Sequence, residues 1–230
     1  MAASRGLRLW LPKPKTFLGL MSLQTGTEII SLALLINKVT GVYGLLAILT
    51  GYALDGVQIS MYIYSVAVLI TLAILTPHVR KQSPFQNLAL AWLYIFDTIV
   101  NAAYTAAFAA EWYLKSGGNP EGDSAEQATD TAASMILIVA FTLVRVYLMF
   151  VVMSFTRQVL HRYTAGLAIG DKATAAQPFA VGSPEGEGWK GKLGRAMVHV
   201  GQDYWVGGKE TDEWAPEQRV PLARSVEDYA

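Results

Sequence analysis

Cysteine is missing from all 230 residues, which excludes disulfides, thiolate zinc sites and thiol nucleophiles together. Charge is scarce as well: 16% of residues are charged, against roughly a quarter in soluble domains. The 18 basic and 18 acidic residues cancel, so no basic excess is available to attract nucleic acid. Histidine is limited to His78, His161 and His199. No H-E-x-x-H, P-loop, G-x-S-x-G or acid-rich metal cluster occurs, so the usual templates for hydrolysis, phosphoryl transfer and metal catalysis are lacking. No catalytic, cofactor-binding or metal-ligating residue is assigned.

What the chain does contain is apolar sequence, 53% of the total, gathered in runs of the length that a hydrocarbon core of about 30 Å demands. Four such runs cover 17–36, 57–76, 85–114 and 132–155. They predict an all-α polytopic membrane protein with four transmembrane helices. The first run follows Arg5, Arg8, Lys13 and Lys15, like a signal peptide. It is too long for a cleaved leader and Ile36-Asn37-Lys38 offers no small-x-small exit, so it is retained as a span.

Lysine and arginine resist translocation, and their distribution orients the spans. The arm 1–16, the connection carrying His78, Arg80 and Lys81, and the stretch after 155 with Arg157 and Arg162 are basic, and all are expected on the cytosolic side. The connection 115–131 holds one lysine against Glu121, Asp123, Glu126 and Asp130, and is expected to be lumenal. An even number of crossings must then separate the arm from the Arg80 loop. The short fifth run, 39–54, interrupted by Gly41, Gly44 and Gly51, is therefore read as a re-entrant or interfacial segment or a bent extension of the second span. Asp55 and Gln58 have the spacing of a capping box that would start the second long helix at Gly56.

Half of the 20 glycines follow residue 155. A largely disordered cytosolic tail, 156–230, is expected on that composition. One stretch, 189–206, carries Leu193, Met197 and Val200 at helical spacing among basic and aromatic residues, a candidate amphipathic helix for the leaflet or a partner.

Ionisable residues inside the spans are costly and point to pairing or function. Glu28, Asp97 and Arg145 each lie about 11 residues from a cytosolic span end, or roughly 16–18 Å at 1.5 Å per residue. A shared depth would let them meet near the midplane. Asn101, four residues after Asp97, shares its face. An internal ion-pair cluster that sets helix register, a contact for a partner helix or lipid phosphate, and a proton or ion path are the three readings of this group. Ala102, Ala106 and Ala110 form a small-residue stripe that permits close helix approach, either within the chain or to another membrane protein.

The order and spacing of several short pieces resemble the regulatory, non-catalytic subunit of fungal inositol phosphorylceramide synthase. They are Leu11-Pro12, Phe17-Leu18-Gly19, Gly26-Thr27-Glu28, Asn37-Lys38, Gly41-Val42-Tyr43-Gly44-Leu45-Leu46, Thr50-Gly51, Asp55 to Tyr62-Ile63-Tyr64-Ser65, and Arg145-Val146-Tyr147. The resemblance spans about 9–163. It implies a multi-pass Golgi membrane protein among membrane lipids, bound to a separate catalytic subunit that transfers phosphoinositol from phosphatidylinositol to ceramide. It also implies a basic retrieval signal able to engage coat proteins, for which Arg157, His161 and Arg162 are the nearest candidates. A small membrane transporter and a trafficking scaffold are the alternative functions.

Overall fold

A computed structural model describes residues 11–49, 51, 56–116, 124–169 and 178–207. These form seven helices: α1 Leu23–Leu49, α2 Gly56–Leu75, α3 Pro77–Arg80, α4 Pro84–Ser116, α5 Ser124–Ile169, α6 Gly188–His199 and α7 Gln202–Trp205. Three stretches, Gly56–Arg80, Pro84–Ala110 and Met135–Leu167, are long and apolar enough to cross a membrane.

The first apolar run does not begin as helix. Residues 17–21 make a tight turn in which the Phe17 N–H donates to the Met21 carbonyl and the Leu20 and Met21 N–H groups donate back to Phe17. The Phe17 side chain folds onto Gly26, where any Cβ would collide with it. Ser22 then caps α1, its hydroxyl accepting the Thr25 N–H at 3.2 Å. From there α1 runs unbroken through Asn37 and Lys38 to Leu49. Residues 39–49 are thus the second half of α1, not a separate re-entrant or interfacial segment. The glycines explain the difference. A Cβ on Gly41 would stand 2.7 Å from that of Ser65, and one on Gly44 would enter the Tyr62 ring. They let α2 press against α1 where the sequence suggested helix breaks. Residues 50 and 52–55, Asp55 among them, lie outside the described residues, so no cap by Asp55 is described.

Proline punctuates the next corner. Pro77 lacks an N–H to continue α2 and starts α3, and Pro84 starts α4. Buried Asn87 ties this corner together, donating to the Ser83 and His78 carbonyls at 2.8 and 3.3 Å. Its own carbonyl accepts the Thr156 hydroxyl of α5 at 3.0 Å. Nearby, Gln82 donates to Gln24 and accepts from Arg162. The basic connections around Arg80 and Arg162 therefore gather at one end of an antiparallel bundle.

Helix α5 has 46 residues, about 69 Å at 1.5 Å each. It is buried on every face over 151–156, half-buried over 145–150, and exposed on every face over 135–144. It is packed at the basic end and splays from the bundle beyond Arg145. Because α4 reaches Ser116 and α5 starts at Ser124, Glu126 and Asp130 are helical and the acidic connection is shorter than the expected 115–131.

Two parts of the expected disordered tail are ordered. Residues 156–169 continue α5, and 178–207 fold against the basic end; residues 170–177 and 208–230 lie outside the described residues. Phe179 is fully buried, edge-on to Phe85 at 6.4 Å. Arg195 holds the segment closed by donating to the Phe179 and Gly186 carbonyls at 2.7 and 2.9 Å. Buried Tyr204 and Trp205 stack edge-on, and burial pushes the Tyr204 hydroxyl above the usual phenol range. The inward face of α6 is Gly191, Gly194 and Val198, whereas Leu193 and Val200 are exposed. Apolar spacing selected the bulky residues, but the helix packs through its smallest ones, since the Phe179 ring lies where a Gly194 Cβ would be.

Two substitutions test these contacts. Gly41→Leu overpacks the α1–α2 crossing and is expected to cost about 1–3 kcal/mol, read as a lower melting temperature in detergent. Phe179→Ala, at about 3–5 kcal/mol, is expected to release 178–207. Limited proteolysis there should rise at least about tenfold with the helical bundle intact.

Candidate functional site: a carboxylate shared by four helices

Asp97 lies at mid-height on α4 and is 1% exposed. A carboxylate so placed needs donors, and each long helix supplies one. Helix α5 contributes Arg145, which donates to Oδ2. Helix α1 contributes Lys38, with Nζ 2.7 Å from Oδ1. From α2 the Tyr64 hydroxyl donates to Oδ1 at 3.1 Å, and from α4 itself Asn101 donates at 3.0 Å. Lys38 also stands 5.1 Å above the Tyr64 ring centre, where the ring's negative face favours a cation.

The structure thus brings together Asp97, Asn101 and Arg145 of the expected group but not Glu28. Arg80 of α3 takes Glu28 at 3.1 Å near the basic end. The later start of α1 puts Glu28 within its first turns, and Lys38, ten residues on, reaches the level of Asp97. Arg80 is largely exposed, so that second pair contributes little to stability. Sequence reasoning missed Lys38 and Tyr64 as members of the cluster. Lys38 falls between the runs 17–36 and 39–54, although apolar sequence resumes right after it, and Tyr64 carries no formal charge to mark it.

A cavity of about 410 Å³ opens between α1, α4 and α5. Arg145 and Asn101 line it with Asn37 and Thr142, opposite Leu34 and Phe141. Of the cluster's two cations, Lys38 is 6% exposed and Arg145 28%. Ala102 also lines the cavity, and Ala102, Ala106 and Ala110 are all exposed, so the described residues leave this stripe uncovered. Gln58 is half-buried near the start of α2. Arg157, His161 and Arg162 sit on α5, within its helix and not in a free tail. His161 is half-buried with Nε2 lacking a hydrogen-bond partner, and Arg162 is exposed and bonded to Gln82. Among the described residues no three His, Asp or Glu side chains converge to hold a metal. The arrangement can fix the register of four helices and present a guanidinium inside a cleft.

The shared carboxylate ranks the substitutions. Arg145→Leu leaves Asp97 paired with Lys38, whereas Asp97→Leu strands buried Lys38 and half-buried Arg145 together, at roughly 3–5 kcal/mol for the loss of a buried partner. Asp97→Leu is therefore expected to be the more damaging single change. Restoring balance through Asp97→Leu with Lys38→Met should recover part of the loss, measured as melting temperature in a double-mutant cycle.

A family model described as inositolphosphorylceramide synthase subunit Kei1 matches residues 16–130 and 118–163, the region that carries the helical bundle. The inositol phosphorylceramide synthase regulatory subunit kei1 of Schizosaccharomyces pombe is 28% identical over 160 residues, covering 64% of this chain and 68% of that protein. The regulatory subunit KEI1 of Saccharomyces cerevisiae is 30% identical over 175 residues, covering 66% of this chain and 79% of that protein. No solved structure matches. With a family match that takes in the whole Asp97 cluster and most of both relatives covered, the chain belongs to the Kei1 family of inositolphosphorylceramide synthase subunits.

Proposed function

We propose that the chain is the regulatory, non-catalytic subunit of inositol phosphorylceramide synthase, seated in the Golgi membrane beside a separate catalytic subunit. That partner transfers phosphoinositol from phosphatidylinositol to ceramide. The observation that carries this reading is the family match over 16–163, which includes the four helices joined at Asp97. A cluster in which Lys38, Asp97 and Arg145 hold one another at a fixed helix register suits a supporting subunit. In this reading α1 is a fourth crossing beside the three most apolar stretches. It has 27 residues, and Glu28 and Lys38 are its sole charged side chains. Four crossings put both termini on one side, and the preference of lysine and arginine for the untranslocated face makes that side cytosolic.

Membranes lacking the chain are expected to convert phosphatidylinositol and ceramide to inositol phosphorylceramide at least about tenfold more slowly, a deficit reversed by re-expression. Affinity capture of the chain should also bring down the synthase activity. Undiminished synthesis without the chain, with no activity in the captured fraction, would sink the reading.

A further inference from the structure

The polar cluster is unbalanced. Among the described residues it joins two cations, Lys38 and Arg145, to the single acid Asp97. The neighbouring acid on α1, Glu28, is engaged by Arg80 at the basic end. One positive charge is therefore left over at mid-height of a bundle read as spanning a bilayer, where an unmatched charge is costly. Arg145 is the cation through which that charge reaches a surface, since it lines the cavity and Lys38 does not.

The same place is where α5 leaves the bundle. Beyond Arg145 the helix is exposed on every face across 135–144. The facing wall of α4 presents Ala102 with Thr98 and Thr105. Lipid tails can cover the apolar wall of α5 but offer no counter-charge to a guanidinium. Small residues on one wall let another helix come to backbone distance. Depth decides the chemistry of the occupant. Arg145 is 10 residues before Phe155, the end of its apolar run, about 15 Å along α5 and so near the middle of a core about 30 Å thick. Lipid phosphates lie outside a hydrocarbon core about 30 Å thick, roughly 15 Å or more from its centre, whereas a carboxylate on a spanning helix can sit level with Arg145.

We propose that the cleft between α4 and α5 receives a transmembrane helix of the catalytic subunit carrying an Asp or Glu, whose carboxylate pairs with Arg145 and neutralises the Lys38–Asp97–Arg145 cluster. The inference rests on the reading of this chain as a synthase subunit, and it adds the seat and the charge that make the complex. The partner helix covers the alanine stripe, and its acid turns a cation that is expensive alone into one half of a matched pair.

The test uses the full chain expressed with the catalytic subunit and purified in mild detergent. The natural absence of cysteine allows a benzophenone maleimide to be placed at Ala102→Cys inside the cleft, or at Ile70→Cys on the exposed outer face of α2 as a control. Photolysis is expected to join Ala102→Cys to a partner span that contains an acid, at least about fivefold more than Ile70→Cys. Arg145→Gln, which leaves Lys38 on Asp97, should lower the retained partner at least about tenfold and change the yield of monodisperse chain less than about twofold. Lys38→Gln neutralises the cluster from outside the cavity and should give the same loss, while Arg145→Lys should keep the partner within about threefold (about 1.4 kcal/mol corresponds to tenfold). Adducts confined to phospholipid or to a span without an acid, full retention of the partner by Arg145→Gln, or equal loss of partner and folded chain would each overturn the inference alone. If wild-type chain retains no catalytic subunit, the functional reading falls and this inference with it.

Discussion

A single buried carboxylate governs the arrangement of the bundle. A carboxyl group as buried as that of Asp97 needs several donors, and the chain supplies one from each of its four long helices. That requirement fixes relative heights: Lys38, Tyr64, Asn101 and Arg145 must arrive at one level, so the sliding of any helix by a turn would break a contact. Apolar packing in lipid is tolerant of such slips, because tails and side chains are chemically alike. The polar cluster supplies the specificity that packing alone lacks.

Away from Asp97, glycine sets how closely the elements approach. Gly41 and Gly44 admit α2 to the surface of α1, Gly26 admits the Phe17 turn, and Gly194 admits the Phe179 ring. These contacts hold together parts of the molecule with quite different compositions. The membrane bundle and the glycine-rich 178–207 segment are joined at the basic end through Phe85, Phe179 and Trp189, with Tyr204 resting near Ser154.

The helical class and the meeting of Asp97 with Arg145 were legible in the sequence, because run length and depth along a helix depend only on counting residues. Less visible was anything that turned on what glycine does. In soluble chains it weakens helices, so Gly41 and Gly44 suggested a break and the tail suggested disorder. Here the same residues mark contacts too close for a Cβ, information held by the neighbouring element and not by the local stretch. A break after Ile36 also takes Lys38 out of the first helix, and with it one of the two cations on Asp97. Counting from Phe17 puts Glu28 at the level of a cluster that it does not join.

The length of α5 carries a mechanical implication. It is gripped around 151–156 and free over 135–144, so it is a stiff rod clamped near one end. Ser124 lies 21 residues beyond Arg145, about 31 Å away, and a swing of roughly 5° at Arg145 displaces that end by nearly ~3 Å. Whatever grips Arg145 therefore sets the position of the far end of the rod. Leverage of this kind converts a small adjustment at one ion pair into a movement about the width of a water molecule at the end of the helix remote from the basic connections.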